Sequence, residues 1–121
     1  MPVTYEVDEA QNAVYAWVSG VVGEEDFLAY VQQFLADTRI HPGYRELVDA
    51  TAATPGNITT ELFDRIAELD RRHPGLLAGS RAAIVVSPGR AHELALQYQR
   101  MARVRMEVFL DLDAARAWLG I

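Results

Sequence analysis

The sequence contains no cysteine and no lysine. The absence of cysteine excludes disulfide bonds, thiolate nucleophiles and thiolate zinc sites. All 11 basic residues are therefore arginine, which excludes Schiff-base chemistry and the lysine of a phosphate-binding P-loop. With so many catalytic and cofactor-anchoring groups missing, we expect neither a cofactor nor a metal site.

Positive charge and long apolar runs are also scarce. The formal net charge is −6, whereas nucleic-acid binding relies on clustered positive charge, so we expect no nucleic-acid partner. No apolar stretch approaches the roughly 20 residues of a membrane span. The first residues lack the basic and then apolar pattern of a secretion signal. The expected location is therefore the cytoplasm.

The three histidines give a weak metal signal. His41 and His73 each begin a His-Pro-Gly turn that follows a predicted helix and precedes a predicted strand. A two-histidine metal site is the alternative to a helix-stop signal, but no acidic ligand stands at fixed spacing beside either residue. The turns are better interpreted as helix stops, in which proline prevents continuation and glycine permits the turn.

Hydrophobic periodicity predicts one α/β domain over residues 1–121. Apolar residues alternate in the first strand, and a second strand at 13–18 follows closely enough to form an antiparallel hairpin. Strands and helices then alternate, which implies parallel strands joined by right-handed crossovers. The later elements are a helix at 24–37, a strand around 47–48, a turn at 51–56, a helix capped by Asn57, a strand at 82–86, a helix begun by Ser87-Pro88, a strand at 106–110 and a helix capped by Asp111. The prediction is a mixed, mostly parallel five-stranded sheet with about four helices.

Two aromatic residues share one face of the second strand. Tyr15 and Trp17 are two residues apart, so they point the same way, and we expect a helix to cover them. Core packing is the favoured interpretation. A lipophilic pocket between this face and a helix is the alternative.

The candidate functional residues follow the predicted parallel strands. In an open α/β sheet, ligands bind beyond the carboxyl ends of the strands. At this edge the sequence places Asp49, Thr51, Ser87, Arg90 and His92. We therefore predict a ligand- or partner-binding site at this edge, provided that the strands are parallel.

Ser87 and Arg90 each have a functional and a structural interpretation. The strand–turn–helix setting of Ser87 resembles a nucleophile elbow with His92 as base, but Val85 replaces the first glycine of that motif. A helix cap is the favoured role of Ser87. Arg90 and free N–H groups at the helix start are suited to binding an anion, and the alternative is that Arg90 points to water.

The order of several short motifs resembles that of SpoIIAA-like bacterial proteins. The motifs are the opening hairpin, Gly20 with Asp26-Phe27, Leu47-Val48-Asp49-Ala50-Thr51, and the ending from Val108-Phe109-Leu110-Asp111 through Ala115 to Trp118-Leu119. These proteins are small relatives of the STAS domain, with a suggested kinship to CRAL-TRIO lipid-binding domains. The resemblance implies a non-catalytic regulatory domain with the fold described above.

The resemblance also implies a phosphorylation site at Thr51. In phospho-switched STAS antagonists, an Asp at the end of a strand is followed two positions later by a phosphorylatable Ser or Thr, and Asp49 and Thr51 match these positions. Phosphorylation would add negative charge and change a docking surface. However, residues 52–56 here precede the next helix, whereas the family's helix begins at once. Capping of a turn by Asp49 and Thr51 is the structural alternative.

Three hypotheses remain. The first is a non-enzymatic regulatory or partner-binding domain of STAS type that acts through a protein partner. The second is a carrier of a small lipophilic or anionic ligand. The third is a small serine hydrolase using Ser87 and His92. The sequence leaves open both the identity of the partner and whether the protein forms a homodimer.

Overall fold

The five strands and five helices of this computed structural model, which describes residues 2–121, form a mixed sheet covered on both faces. The elements are β1 (Val3–Asp8), β2 (Ala13–Val22), α1 (Glu24–Ala36), β3 (Arg45–Pro55), α2 (Thr60–Arg71), α3 (Pro74–Leu77), β4 (Arg81–Val85), α4 (Arg90–Met101), β5 (Arg105–Phe109) and α5 (Leu112–Leu119). The strand order is β1-β2-β3-β4-β5. Only the β1–β2 pair is antiparallel. The predicted α/β fold, with its hairpin at one edge, is confirmed.

The two faces of the sheet are covered unequally. Helices α1 and α4 pack on one face, and α2 packs mainly against α1 and α4. On the other face, α5 covers β3, β4 and β5. There Ala115 and Leu119 are fully buried against Leu47, Ala83 and Val85. Because α2 rests on two helices rather than directly on the strands, space remains between it and the sheet.

β3 is longer than its sequence suggests. Trp17 pairs with Asp49 but Ser19 pairs with Ala52, so β3 carries an extra residue in a bulge. Beyond the bulge, β3 continues to Pro55 beside β2 alone. The predicted turn at 51–56 is therefore wrong over most of its length, because backbone pairing with β2 outweighs the turn-forming composition.

Two helices begin later than predicted. α2 starts at Thr60 with Thr59 as its N-cap residue, not Asn57. α4 starts at Arg90 with Gly89 as its N-cap residue, at a positive φ of 113° that favours glycine. Ser87 does not cap α4, because its hydroxyl is directed to a neighbouring strand instead.

The helix count rises to five because Pro74 opens a short helix rather than only ending one. Proline is well suited to a first helical position, since that position needs no N–H donor. α2 ends at Arg71, as the stop signal predicts, and the four-residue α3 follows.

The expected covering of Trp17 is wrong. The side chain is 44% exposed, because α5 covers the sheet only from β3 to β5. Tyr15, two residues earlier on the same face, is partly buried against the α5 cluster. The outer face over β1 and β2 is therefore left without a helix.

Candidate functional site

The structure brings together three of the predicted residues at the carboxyl ends of the parallel strands. The Thr51 hydroxyl donates to Asp49 Oδ1 at 2.7 Å, and the Thr51 N–H donates to the same oxygen at 3.1 Å. The Ser87 hydroxyl donates to the Thr51 carbonyl at 2.9 Å. Thr51 is exposed and lies in the β3 bulge. The Asp49 side chain thus stabilises the bulge and leaves the Thr51 hydroxyl at the surface.

Arg90 binds the backbone of its own chain. Its guanidinium donates to the carbonyls of Pro55 at 3.0 Å, Gly56 at 2.8 Å and Ile58 at 3.4 Å. These bonds tie the start of α4 to the loop between β3 and α2. Arg90 therefore neither points freely to water nor presents an unused guanidinium, and an anion would have to compete with these carbonyls.

His92 does not form a catalytic pair with Ser87. Within residues 2–121, no hydrogen bond joins the two side chains, and the Ser87 proton is directed to the Thr51 carbonyl. His92 is partly buried on the first turn of α4. A serine nucleophile requires a base within hydrogen-bond reach, so this geometry gives the hydrolase hypothesis no support.

Across residues 2–121, no group of three or more histidine, aspartate or glutamate side chains is placed to hold a metal ion. None of the helices described is long and apolar enough to cross a membrane.

The structure also contains an apolar cavity between the sheet and helices α1, α2 and α4. Its volume is about 160 Å³. Side chains from β2, β3 and β4 form its floor, and helical side chains form its walls and roof. The apolar lining residues include Val18, Val22, Phe27, Val31, Val48, Ala50, Ile58, Leu62, Ile66, Ile84, Leu94 and Ala95.

Glu46, on the central strand β3, is an acidic residue within this otherwise mainly apolar lining. In the sheet it pairs with Val14 on one side and Ala82 on the other. Its side chain lies on the face of the sheet that α1 and α4 cover. There the Tyr30 hydroxyl of α1 donates to Glu46 Oε2 at 2.5 Å. Tyr30 is held in place by an edge-to-face contact with Phe34, with ring centroids 6.0 Å apart.

Asp70, near the end of α2, is a second carboxylate in the cavity wall. It is only 8% exposed. Within residues 2–121, no protein group donates a hydrogen bond to its side chain or pairs with it, and its oxygens keep access to solvent, since no side-chain oxygen in this part of the chain is both buried and without a partner. Glu46, Tyr44 and Tyr98 line the same cavity as Asp70.

Burial changes the ionisation of both acids. Burial raises the pKa of Glu46 to about 7, although the hydrogen bond from Tyr30 acts in the opposite direction. Burial raises the pKa of Asp70 to about 6, and the positive charge of Arg103 opposes that shift. Burial also raises the pKa values of the Tyr44 and Tyr98 hydroxyls, so both are neutral at pH 7. We name Glu46, Asp70, Tyr44 and Tyr98 together the acidic end of the cavity.

Asp70 also lines a surface pocket of about 490 Å³. This outer pocket lies between the end of α2, the helix α3 and the segment that follows α4. Its other lining residues are Arg71, Pro74, Leu77, Ala78, Met101, Ala102 and Arg103. Asp70 thus lies where the internal cavity and the outer pocket adjoin.

Sequence reasoning missed both acids. Neither Glu46 nor Asp70 is among the candidate residues predicted from the sequence. A signal for Asp70 was available, because it follows Leu62 and Ile66 at intervals of four and therefore continues the apolar stripe of α2.

The fold defines the class of protein. A hairpin followed by β–α repeats, with helices on both faces of a five-stranded mixed sheet, is the STAS-type α/β architecture. The family model described as SpoIIAA-like matches residues 13–120. The chain therefore belongs to the SpoIIAA-like family, and the resemblance seen in the sequence is confirmed.

A solved structure supports the fold. It is that of an uncharacterized protein from the DUF3478 family with a SpoIIAA-like fold from Shewanella loihica PV-4. The two chains share 15% identity with a TM-score of 0.62, covering 97% of this chain and 93% of the other. At this identity the likeness shows the fold alone. The comparison with curated proteins gave no match.

Proposed function

We propose that this SpoIIAA-like protein is a non-catalytic domain that binds a small lipophilic molecule in the cavity beneath α2. The cavity itself carries this proposal. Its volume of about 160 Å³ is far larger than the few small voids usual in a packed core. An engineered cavity of about 150 Å³ with an apolar lining stays dry and binds benzene.

The shape of the fold supports this proposal. α2 packs against α1 and α4 and not directly against the strands. The side chains of the sheet therefore do not fill the space beneath α2. Small side chains on opposite walls, Ala50 on β3 and Ala95 on α4, leave the space open. A ligand here would bury its surface against aliphatic and aromatic side chains, which is the usual composition of a small-molecule site.

A neutral apolar probe tests the proposal. Toluene titrated into the protein should give saturable NMR shifts of the methyl groups of cavity residues such as Val18 and Ile84. Ala95→Leu should fill the space and abolish these shifts. The matched control is Ala117→Leu on the exposed side of α5, which should bind toluene as the natural sequence does.

The opposite result would reject the lipophilic-ligand function. It is rejected if toluene produces no saturable shifts, or if Ala95→Leu binds toluene unchanged. Native mass spectrometry of freshly purified protein adds a direct measurement. It reports both the mass of a co-purified molecule and the number of subunits.

Regulated partner binding at the carboxyl edge is a second candidate function. One observation favours it: the exposed Thr51 hydroxyl lies near the Asp49 carboxylate, and the exposed Trp17 pairs with Asp49 on the neighbouring strand. An exposed aromatic side chain beside a phosphorylatable hydroxyl is suited to a protein–protein contact that phosphorylation switches on or off.

Phosphate transfer tests this second function. A lysate of the source organism with ATP should add one phosphate to the purified protein at Thr51, as peptide mass spectrometry would show. Thr51→Ala should remove the modification, whereas Thr54→Ala, at another exposed threonine of β3, should not. An unmodified Thr51 would reject the phospho-switch.

A further inference from the structure

The outer face of β1 and β2 has no helix over it. α5 covers only β3, β4 and β5 on this side of the sheet. Paired residues on neighbouring strands point to the same side of a sheet, so the pairing arranges the outward side chains in two rows. One row is Thr4, Trp17 and Asp49, and the next is Glu6, Tyr15 and Leu47. We name the surface formed by Thr4, Glu6, Tyr15, Trp17 and Asp49 the open face.

Trp17 is the exposed aromatic group at the centre of the open face. Its side chain is 44% exposed. Asp49 is its direct neighbour on β3, and Glu6 lies diagonally from it on β1, within reach of an aromatic or long side chain. Val21, four residues later on β2, is 72% exposed, and strand alternation places it on the same side. Apolar surface and two carboxylates therefore lie together.

The second tryptophan of the chain has neighbours that the open face lacks. The guanidinium groups of Arg81 and Arg105 lie 5.5 and 5.7 Å from the ring centroid of Trp118. At this distance an aromatic ring attracts a cation. Among residues 2–121, no guanidinium lies over Trp17 in this way. β1 and β2 contain no basic residue that could supply one.

The charge of the chain is unevenly distributed around this surface. Residues 1–38 contain seven acidic residues and no arginine or histidine, whereas residues 39–121 contain ten acidic residues and all 11 arginines. The net charge of −6 therefore originates in the segment that includes β1, β2 and α1. An excess of one charge attracts partners of the opposite charge and repels those of the same charge.

We propose that the open face docks a basic segment of a protein partner, with an arginine side chain of that segment over the Trp17 ring and beside the Glu6 and Asp49 carboxylates. This inference rests on the second candidate function and names the chemical class of its partner. A second copy of this chain is a poorer occupant, because it would bring another net charge of −6 to the surface. The same repulsion disfavours nucleic acids and anionic membranes.

Three matched peptides test the charge of the partner. The basic peptide alternates leucine and arginine over eight residues, and its controls replace every arginine with citrulline or with glutamate. Citrulline has nearly the shape of arginine but is neutral. At pH 7 and 0.15 M salt, the basic peptide should bind at least about tenfold more tightly than the citrulline peptide, and the glutamate peptide should not bind measurably. Raising the salt to about 0.5 M should weaken binding, because salt screens exposed charges.

The two indole N–H groups report where the peptide binds. Titration with the basic peptide should shift the NMR signal of the Trp17 indole in a saturable way. The signal of Trp118, whose ring already has two arginine neighbours, should stay unchanged. Trp17→Thr should weaken binding at least about tenfold, because it removes the aromatic surface and keeps a residue suited to a strand.

A charge-matched pair of substitutions separates docking on the open face from general attraction. Glu6→Gln removes a carboxylate near Trp17 and should weaken binding about threefold. Glu25→Gln removes the same charge from an exposed position of α1, which packs on the other side of the sheet. This control should leave the affinity nearly unchanged. Circular dichroism and the melting temperature of each variant establish that it is folded.

The outcomes assign the open face to one occupant. If the citrulline peptide binds as tightly as the basic peptide, the basic class of partner is overturned. If the Trp17 signal does not respond, or if Glu25→Gln weakens binding as much as Glu6→Gln, the open face is not the site. If the free protein sediments as a dimer that Trp17→Thr dissociates, the face belongs to a second copy and the proposal is overturned.

Failure of this inference is distinguishable from failure of the function on which it rests. Phosphorylation of Thr51 is measured separately by peptide mass spectrometry. A modified Thr51 without peptide binding would overturn the basic partner and leave the phosphorylation site. An unmodified Thr51 with specific peptide binding would reject the switch and leave the docking surface.

Discussion

Polar side chains at the two ends of the parallel strands are satisfied in different ways. At the carboxyl ends, the polar side chains form hydrogen bonds with one another or with nearby backbone; these are Asp49, Thr51, Ser87 and Arg90. At the acidic end, among the residues described, Asp70 has no donor. At the carboxyl edge the polar side chains therefore form hydrogen bonds within the protein, whereas the Asp70 oxygens at the acidic end keep access to solvent.

The largest expected effect is a pH dependence that the acidic end imposes. The folded-state pKa of Glu46, about 7, lies above its ordinary value of 4.5. The folded protein therefore takes up this proton more readily than the unfolded chain. The stabilising contribution is complete below about pH 4.5 and is lost as the pH rises through about 7. Asp70 acts in the same direction at slightly lower pH.

Urea unfolding at a series of pH values measures this effect. Between pH 8 and pH 5.5, the two acids together should increase the free energy of unfolding by on the order of 2 kcal/mol. Glu46→Gln should flatten most of that dependence, and Asp64→Asn should not. A stability that is unchanged or falls over this range in the natural sequence, with no response to Glu46→Gln, would contradict the assignment of the acidic end.

A smaller effect on the free energy of unfolding is expected at the carboxyl ends of the parallel strands. Arg90→Ala removes the donor to three backbone carbonyls in the loop between β3 and α2. Because the site is exposed, we expect a loss of only about 1 kcal/mol in the free energy of unfolding. His92→Ala, two residues later on the same helix, serves as the control and should change stability by less than half as much. Equal losses in the two variants would show that Arg90 does not hold the loop.

The smallest effect is expected at the bulge. Asp49→Ala removes the acceptor for the Thr51 N–H and hydroxyl. We expect a loss of about 0.5–1 kcal/mol, since both donors are exposed and water can replace the carboxylate. Chemical denaturation of Asp49→Ala beside Thr54→Ala measures it. A loss for Asp49→Ala no greater than that for Thr54→Ala would mean that the side chain does not stabilise the bulge.

The sequence predicts this fold well because its periodicities are distinct. Alternation at Val3, Tyr5 and Val7 marks a strand with one exposed face, and that strand lies at the sheet edge. The prediction was weaker at residues 51–55, where threonine, alanine and proline favour a turn locally. There, pairing with β2 continues the strand, and such pairing across distant segments cannot be read from local composition.

The candidate site was predictable only in part. Topology alone places Asp49, Thr51 and Ser87 at one edge, because parallel strands end together. Glu46 was not predictable in the same way, since β3 is covered on both faces and its alternation therefore does not show which residues meet the helices. The place of Asp70 in the cavity wall depends on how α2 packs against α1 and α4, which is a property of the folded chain.

The location of the two tryptophans determines what fluorescence can report. Trp17 lies on the uncovered outer face, and Trp118 packs against Phe109 and lies within cation–π distance of Arg81 and Arg105. Neither indole lines the cavity, whereas three tyrosines do. Indole emission should therefore follow the docking of α5 and the loss of the sheet, while filling of the cavity should appear instead in the near-ultraviolet signal of the tyrosines.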